Sequence, residues 1–176
     1  MPSGASYDYD IVKMFTIASI VWAIVGMAAG LYIAGELAWP ALNLDIAEIT
    51  FGRLRPVHTN TVIWGFGGNA LIATSFYVVQ RTCQTRLWGG KFLLNTMFWA
   101  WQAVVLIGAW ALVAGHSQGR EYAEYPLVDN ILMMIGLVIY AVVYANTLRR
   151  RSQPHIYVAN WFYMAFILAT AILHFF

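Results

Sequence analysis

The chain alternates long apolar stretches with short polar ones. Five runs, at 11–39, 56–80, 91–114, 127–148 and 156–176, are each about as long as the roughly 20 residues an α-helix needs to cross a bilayer core. Between them lie "WPALNLDIAEITFGRLR", "RTCQTRLWGG", "GHSQGREYAEYP" and "RRRSQPH", which carry the proline, glycine and charge that end helices. The pattern predicts an all-α, polytopic membrane bundle of five transmembrane helices, with no soluble domain between them. Residues 1–176 read as a single transmembrane domain. Pro56 is expected in the first turn of the second helix, where a missing N–H costs nothing. Gly26 and Gly30 form a G-x-x-x-G that lets helix backbones approach closely.

Composition sharpens this picture. Hydrophobic residues make up 61% of the chain and charged residues 10%, well below the quarter or so usual in soluble domains. The net charge of +2 is too small to argue for nucleic acid. The N-terminal "MPSGASYDYDIVK" lacks the basic start and small-residue cleavage site of a secretory signal, so the first span is expected to be retained. Cys83 is the only cysteine and no C-x-x-C-H occurs, which excludes covalent attachment of a c-type haem. Arg81, Arg86 and Lys91 in the second loop, and Arg149, Arg150 and Arg151 in the fourth, put those loops on the cytoplasmic side by the positive-inside rule. The N-terminus is then cytoplasmic, and His58, Arg53, Arg55, His116, Glu121, Glu124 and His174 fall toward the opposite face.

Candidate chemistry is sparse. The span interiors contain no Asp, Glu, Lys or Arg, which disfavours a transporter or pump built on these helices alone. Asn69, Thr74, Ser75, Asn95, Gln102 and Asn160 read as interhelical hydrogen-bond partners. In "RLRPVHTNTVIWGFGGNALIAT", His58 opens a long apolar helix whose same face continues through Thr61, Val62, Gly65, Gly68 and Asn69. A planar macrocycle ligated by an outward-pointing imidazole lies along the helix surface, and Gly65 and Gly68 would give it room. The same bare face equally admits a neighbouring helix. Arg53 and Arg55 lie on the side where topology does not require them, so an anion is expected there: haem propionates, or lipid phosphate or a partner carboxylate. Glu121 and Glu124 read, on residues alone, as solvated loop acids. His116 reads as exposed, His155 lies across the bilayer from His58, and His174 is a conceivable second axial ligand within the chain.

"RPVHTNTVIWGFGGNALIATSFYVVQRT", "GREYAEYP" and "QPHIYVANWFYMAFILATAILH" resemble the second helix, third loop and fifth helix of the catalytic subunit of cbb3-type cytochrome c oxidases, the C-type branch of the haem-copper oxidases. Nitric oxide reductases share an R-x-x-H-T-N start, but the continuation resembles the oxidase. The resemblance runs through essentially the whole chain. It implies that His58 is an axial ligand of the low-spin haem b, that Arg55 and Arg53 serve its propionates, and that Glu121, with Glu124, helps to hold calcium. It further implies a bacterial inner-membrane enzyme that takes electrons from c-type cytochrome subunits, reduces dioxygen and translocates protons. The family fold has about twelve helices, with the high-spin haem and copper ligands after the fifth. The chain therefore reads as an incomplete, N-terminal part, inactive alone, with the remaining helices supplied by the same subunit or a second polypeptide. Two alternatives stay open: a small stand-alone membrane cytochrome b using His58 and His174 or a haem-binding assembly protein, and the nitric oxide reductase branch of the same superfamily.

Overall fold

The computed structural model describes residues 7–175. Residues 1–6 of the N-terminal segment read above as lacking a signal, and the last residue of the fifth run (176), lie outside them. Among the described residues the regular elements are all helical: α1 (Tyr9–Ala38), α2 (Phe51–Cys83), α3 (Gly90–Val113), α4 (Leu127–Arg149) and α5 (Val158–Phe175), with two short 3-10 turns, Pro40–Asn43 and Ala47–Ile49, before α2. The first four are long and apolar enough to cross a membrane. The fifth, 18 residues long, spans about 27 Å at 1.5 Å per residue, just short of a ~30 Å core. The chain is a multi-pass membrane protein.

α2 begins earlier than its sequence suggests. Phe51 opens it, with the Thr50 carbonyl accepting from the amides of Arg53 and Leu54, both at 2.9 Å. Pro56 is thus inside the helix rather than in its first turn. Its ring meets the carbonyl four residues back, where proline normally clashes. That residue is Gly52, exposed in the first turn of α2.

The chain divides into two compact units. The first comprises the described part of Met1–Thr16 with Ala70–Trp101 and Met133–Phe176. Its core is aromatic: Phe15 meets Phe98 at 5.0 Å and Phe76 at 6.2 Å, and Phe76 meets Tyr140 at 5.6 Å, all edge-to-face, the geometry ring quadrupoles favour. Polar side chains here find each other, as hydrocarbon surroundings require. The Tyr140 hydroxyl donates to Ser75 Oγ at 2.6 Å, the Tyr144 hydroxyl donates to Asn160 Oδ1 at 2.9 Å, and Asn160 Nδ2 donates to Thr82 Oγ1 at 2.9 Å. Asn160 and Ser75 are the interhelical partners expected of them, whereas exposed Thr74 bonds back to Ala70 O in its own helix.

The second unit comprises Ile17–Asn69 and Gln102–Leu132 and contains the candidate site. Asn160→Ala, which leaves the buried Tyr144 hydroxyl without its acceptor, is expected to lower stability by about 1–2 kcal/mol, read as the midpoint of unfolding in mixed detergent micelles.

Candidate functional site

Three positions of α1, four residues apart, meet three positions of α2 in reverse order. A Cβ on Gly30 would stand 2.6 Å from His58 Cε1, one on Gly26 would stand 2.8 Å from Val62 Cγ2, and one on Gly65 would stand 2.8 Å from Trp22 Cγ. These contacts are tighter than side chains permit. The glycines are therefore the reason the helices approach so closely here. Ser19, one turn before Trp22, donates its hydroxyl to Phe66 O at 3.2 Å and extends the seam.

The seam corrects one expectation. The clearing over Gly65, assigned to a macrocycle, is filled by the Trp22 indole. Gly65 admits α1, because an indole buried against a bare helix face removes apolar surface that a tenantless groove would leave unpacked. Trp22 is held there through its Nε1, which donates to Gln102 Oε1 at 2.8 Å; Gln102 Nε2 in turn donates to Asn69 Oδ1 at 2.7 Å. Asn69 and Gln102 are thus the polar partners their positions promised. Asn69 Nδ2 reaches the Gly65 carbonyl at 2.5 Å. Thr61–Gly68 winds as a π-helix, and the Asn69 backbone amide bonds Phe66 O. Widened turns of this kind re-aim carbonyls and side chains within a helix.

His58 is half-buried in the α1–α2 seam, its ring seated over Gly30. Its Nδ1 lies 2.7 Å from the Gly26 carbonyl oxygen. A carbonyl only accepts, so Nδ1 carries the proton and donates. In neutral imidazole this places the free lone pair on Nε2. An imidazole fixed by one nitrogen on a backbone carbonyl, with the other left as a base, is the arrangement that metal-ligating histidines adopt.

The flanking charges are sorted by their partners. Arg53 Nη1 donates to Val113 O at 3.1 Å at the end of α3, where a cation offsets the helix dipole, and lies 3.6 Å from Glu48. Its guanidinium rests on Gly115, whose Cβ would be 3.2 Å away. Arg55 is the freer of the two, its side chain 48% exposed and its Nη2 3.6 Å from Glu124 Oε1. Glu124 is buried and accepts from Asn60 Nδ2 at 2.6 Å through Oε2. Glu121 is exposed in the same loop. The two acids expected to share an ion are therefore presented differently, and no group of three or more His, Cys, Asp or Glu side chains comes together among the described residues.

The loop before α4 is tied down. Asn130 Nδ2 donates to the carbonyls of Ala123 and Tyr125, Gln118 Nε2 donates to Tyr125 O at 2.6 Å, and Trp64 Nε1 donates to Tyr122 O at 3.3 Å. The Tyr125 ring fills the space beside Gly108. Burial pushes its phenol well above the usual tyrosine range, and the charges of Asp129 and Glu124 push the same way. Of the other histidines, His116 and His155 are exposed, while His174 is buried within the first unit. Sequence reasoning missed Trp22, Asn60 and the seat that Gly26 and Gly30 make for His58. The four-residue steps 22, 26 and 30 were the available signal.

A multi-pass helical membrane protein presenting an imidazole with a fixed tautomer at a helix seam is the class these features define. The chain belongs to the family described as cytochrome c and quinol oxidase polypeptide I, whose family model matches residues 10–176. It is 52% identical over 172 residues to the cbb3-type cytochrome c oxidase subunit CcoN1 of Stutzerimonas stutzeri, covering 98% of this chain and 36% of that protein, in its N-terminal part. It is 47% identical over 175 residues to cytochrome c oxidase subunit 1 of Rhodobacter capsulatus (98% and 33%) and 44% identical over 169 residues to the bacteroid subunit 1 homologue of Bradyrhizobium diazoefficiens (96% and 31%). The chain spans about a third of the length of these relatives.

Tyr125→Phe tests the loop. Above about pH 10 an unfolded tyrosine ionises while the buried phenol keeps its proton, so the folded state binds more protons and stability falls as pH rises. The variant is expected to match the parent at pH 7 and to lose less stability between about pH 10 and 11, read by detergent unfolding at each pH.

Proposed function

We propose that His58 Nε2 is an axial ligand to a low-spin haem b in the oxygen-reducing subunit of a cbb3-type cytochrome c oxidase. The observation that carries this reading is the 2.7 Å bond from His58 Nδ1 to the Gly26 carbonyl, which leaves Nε2 as the basic nitrogen. The residues present fit a haem: one imidazole whose Nδ1 is engaged by a backbone carbonyl, and a half-exposed guanidinium, Arg55, three residues before it. When bound, the haem supplies reversible one-electron chemistry whose potential the protein tunes through ligation, burial and hydrogen bonds.

The chain's own residues then have distinct tasks. The Gly26 carbonyl holds the ring orientation and the tautomer, so that the lone pair stays on Nε2. Gly30 gives the clearance that lets the ring sit there. The Trp22–Gln102–Asn69 bonds keep α1 against α2, so that the carbonyl stays in place. Arg55 offers charge to a propionate, while Arg53 is committed to the end of α3 and Glu48. Calcium fits less well, since Glu124 is committed to Asn60 and Arg55 and Glu121 stands apart in exposure; no role is assigned to it.

One imidazole of this kind does not assemble two haems and a copper. The second axial ligand, the high-spin haem and copper belong in this reading to the helices that the longer relatives add. The assembled enzyme takes electrons from c-type cytochromes, reduces dioxygen and conserves the energy as a proton gradient across the bacterial inner membrane, with His58 toward the periplasmic side.

Reduced-minus-oxidised spectra of the chain, alone and co-assembled with the remaining helices, test the reading. His58→Ala is expected to abolish the low-spin haem b band and oxygen consumption of the complex. Gly30→Val, which drives a side chain into the imidazole, is expected to lower haem b occupancy by about tenfold or more, while Gly52→Ala leaves it unchanged. Full occupancy in His58→Ala would exclude the assignment. A bis-histidine band in the chain alone that disappears in His174→Ala would instead establish a small stand-alone cytochrome.

A further inference from the structure

Within the first unit, α4 and α5 leave a groove of about 490 Å³ open on one side. Its walls are apolar, with Leu137, Ala141, Ala145 and Ile167 among them, and Arg149 closes one end. From 137 to 149 the groove follows α4 for about 18 Å at 1.5 Å per residue. Arg149 also lines a second cavity of about 380 Å³, whose other walls are Arg151, Ser152, Gln153 and Pro154. The two cavities share that arginine, one side hydrocarbon-like and the other polar.

The polar cavity carries positive charge without a counter-charge. Two guanidiniums, a hydroxyl and an amide line it, and no carboxylate does. Its loop is fixed: the Ser152 amide donates to Cys83 O at 2.9 Å and Gln153 Nε2 donates to Gln84 Oε1 at 2.7 Å. Arg151 Nη1 reaches Leu148 O at 3.3 Å, while its buried Nε has no acceptor. Two guanidiniums lining one cavity that no carboxylate lines favour an anion with several oxygens.

From this juxtaposition we propose that the α4–α5 groove and the Arg149–Arg151 cavity form one binding site for an anionic phospholipid, with an acyl chain along Ala141 and Ala145 and the phosphate between the two arginines. A single amphipathic molecule satisfies both halves. A crossing helix fills the apolar half but leaves the guanidiniums uncompensated unless it brings an acid to them. Basic pockets at the ends of membrane helices bind lipid headgroups in this way.

The test uses the full chain in nanodiscs of equal phosphatidylglycerol and phosphatidylcholine, released into the gas phase for native mass spectrometry. Retained phosphatidylglycerol is expected to exceed phosphatidylcholine, to fall about fivefold for each of Arg149→Gln and Arg151→Gln, and to fall also in Ala145→Trp, which fills the groove and keeps the charge. Helicity of each variant is checked by circular dichroism. Equal retention of the two lipids, loss of phosphatidylglycerol on adding inorganic phosphate alone, or retention unaltered in well-folded Ala145→Trp would each overturn the proposal. A photoreactive benzoylphenylalanine in place of Leu168, a large exposed side chain on the α5 wall of the groove, in the co-assembled complex, separates the last alternative. A lipid adduct supports the site, and an adduct to a polypeptide overturns it.

Discussion

The hydrogen bond from His58 Nδ1 to the Gly26 carbonyl is the constraint from which the site follows. A helical carbonyl already accepts one bond from the amide four residues on, yet it has a second lone pair. That lone pair is normally screened by side chains. On α1 it is exposed because Gly26 and Gly30 carry none, and the imidazole lies flat enough against the helix to reach it. The bond does more than hold the ring: it decides which nitrogen is the base. Without it the two tautomers of a half-buried imidazole lie close in energy, and the lone pair would be shared between two directions.

The surroundings protect that bond by satisfying polar groups that hydrocarbon would leave stranded. Trp22, Gln102 and Asn69 hand hydrogen bonds along a line that ends on the Gly65 carbonyl. In the other unit Tyr140 donates to Ser75, and Tyr144, Asn160 and Thr82 do the same along a second line. Both sets are neutral, in keeping with the cost of charge at depth. These networks position backbone, and the chemistry assigned to the chain rests on a single nitrogen.

The arginines show how one residue type takes different work from its neighbours. Arg53 caps a helix end, Arg55 faces a buried carboxylate, and Arg86 forms a two-pronged pair with Asp8 that raises its affinity for its proton. Arg149 and Arg151 face a cavity that no carboxylate lines. A topological rule that counts positive charges per loop treats all of them alike. Their partners, which separate them, come from distant parts of the chain.

The number, order and approximate limits of the helices were legible in the sequence, because bilayer thickness and the 1.5 Å rise fix how long an apolar run must be. So was the prominence of His58, from its place at the mouth of a bare helix face. The start of α2 was not, since proline signals a helix beginning and here the helix begins at Phe51, before it. Nor was the tenant of that face: a stripe of small residues records that something comes close, never what. Tertiary packing placed Trp22 over Gly65, turned Glu124 inward while Glu121 stayed out, and brought the Gly26 carbonyl to Nδ1. Periodicity along one helix fixes which side chains share a face, and the choice of partner depends on a second helix whose register no local pattern specifies.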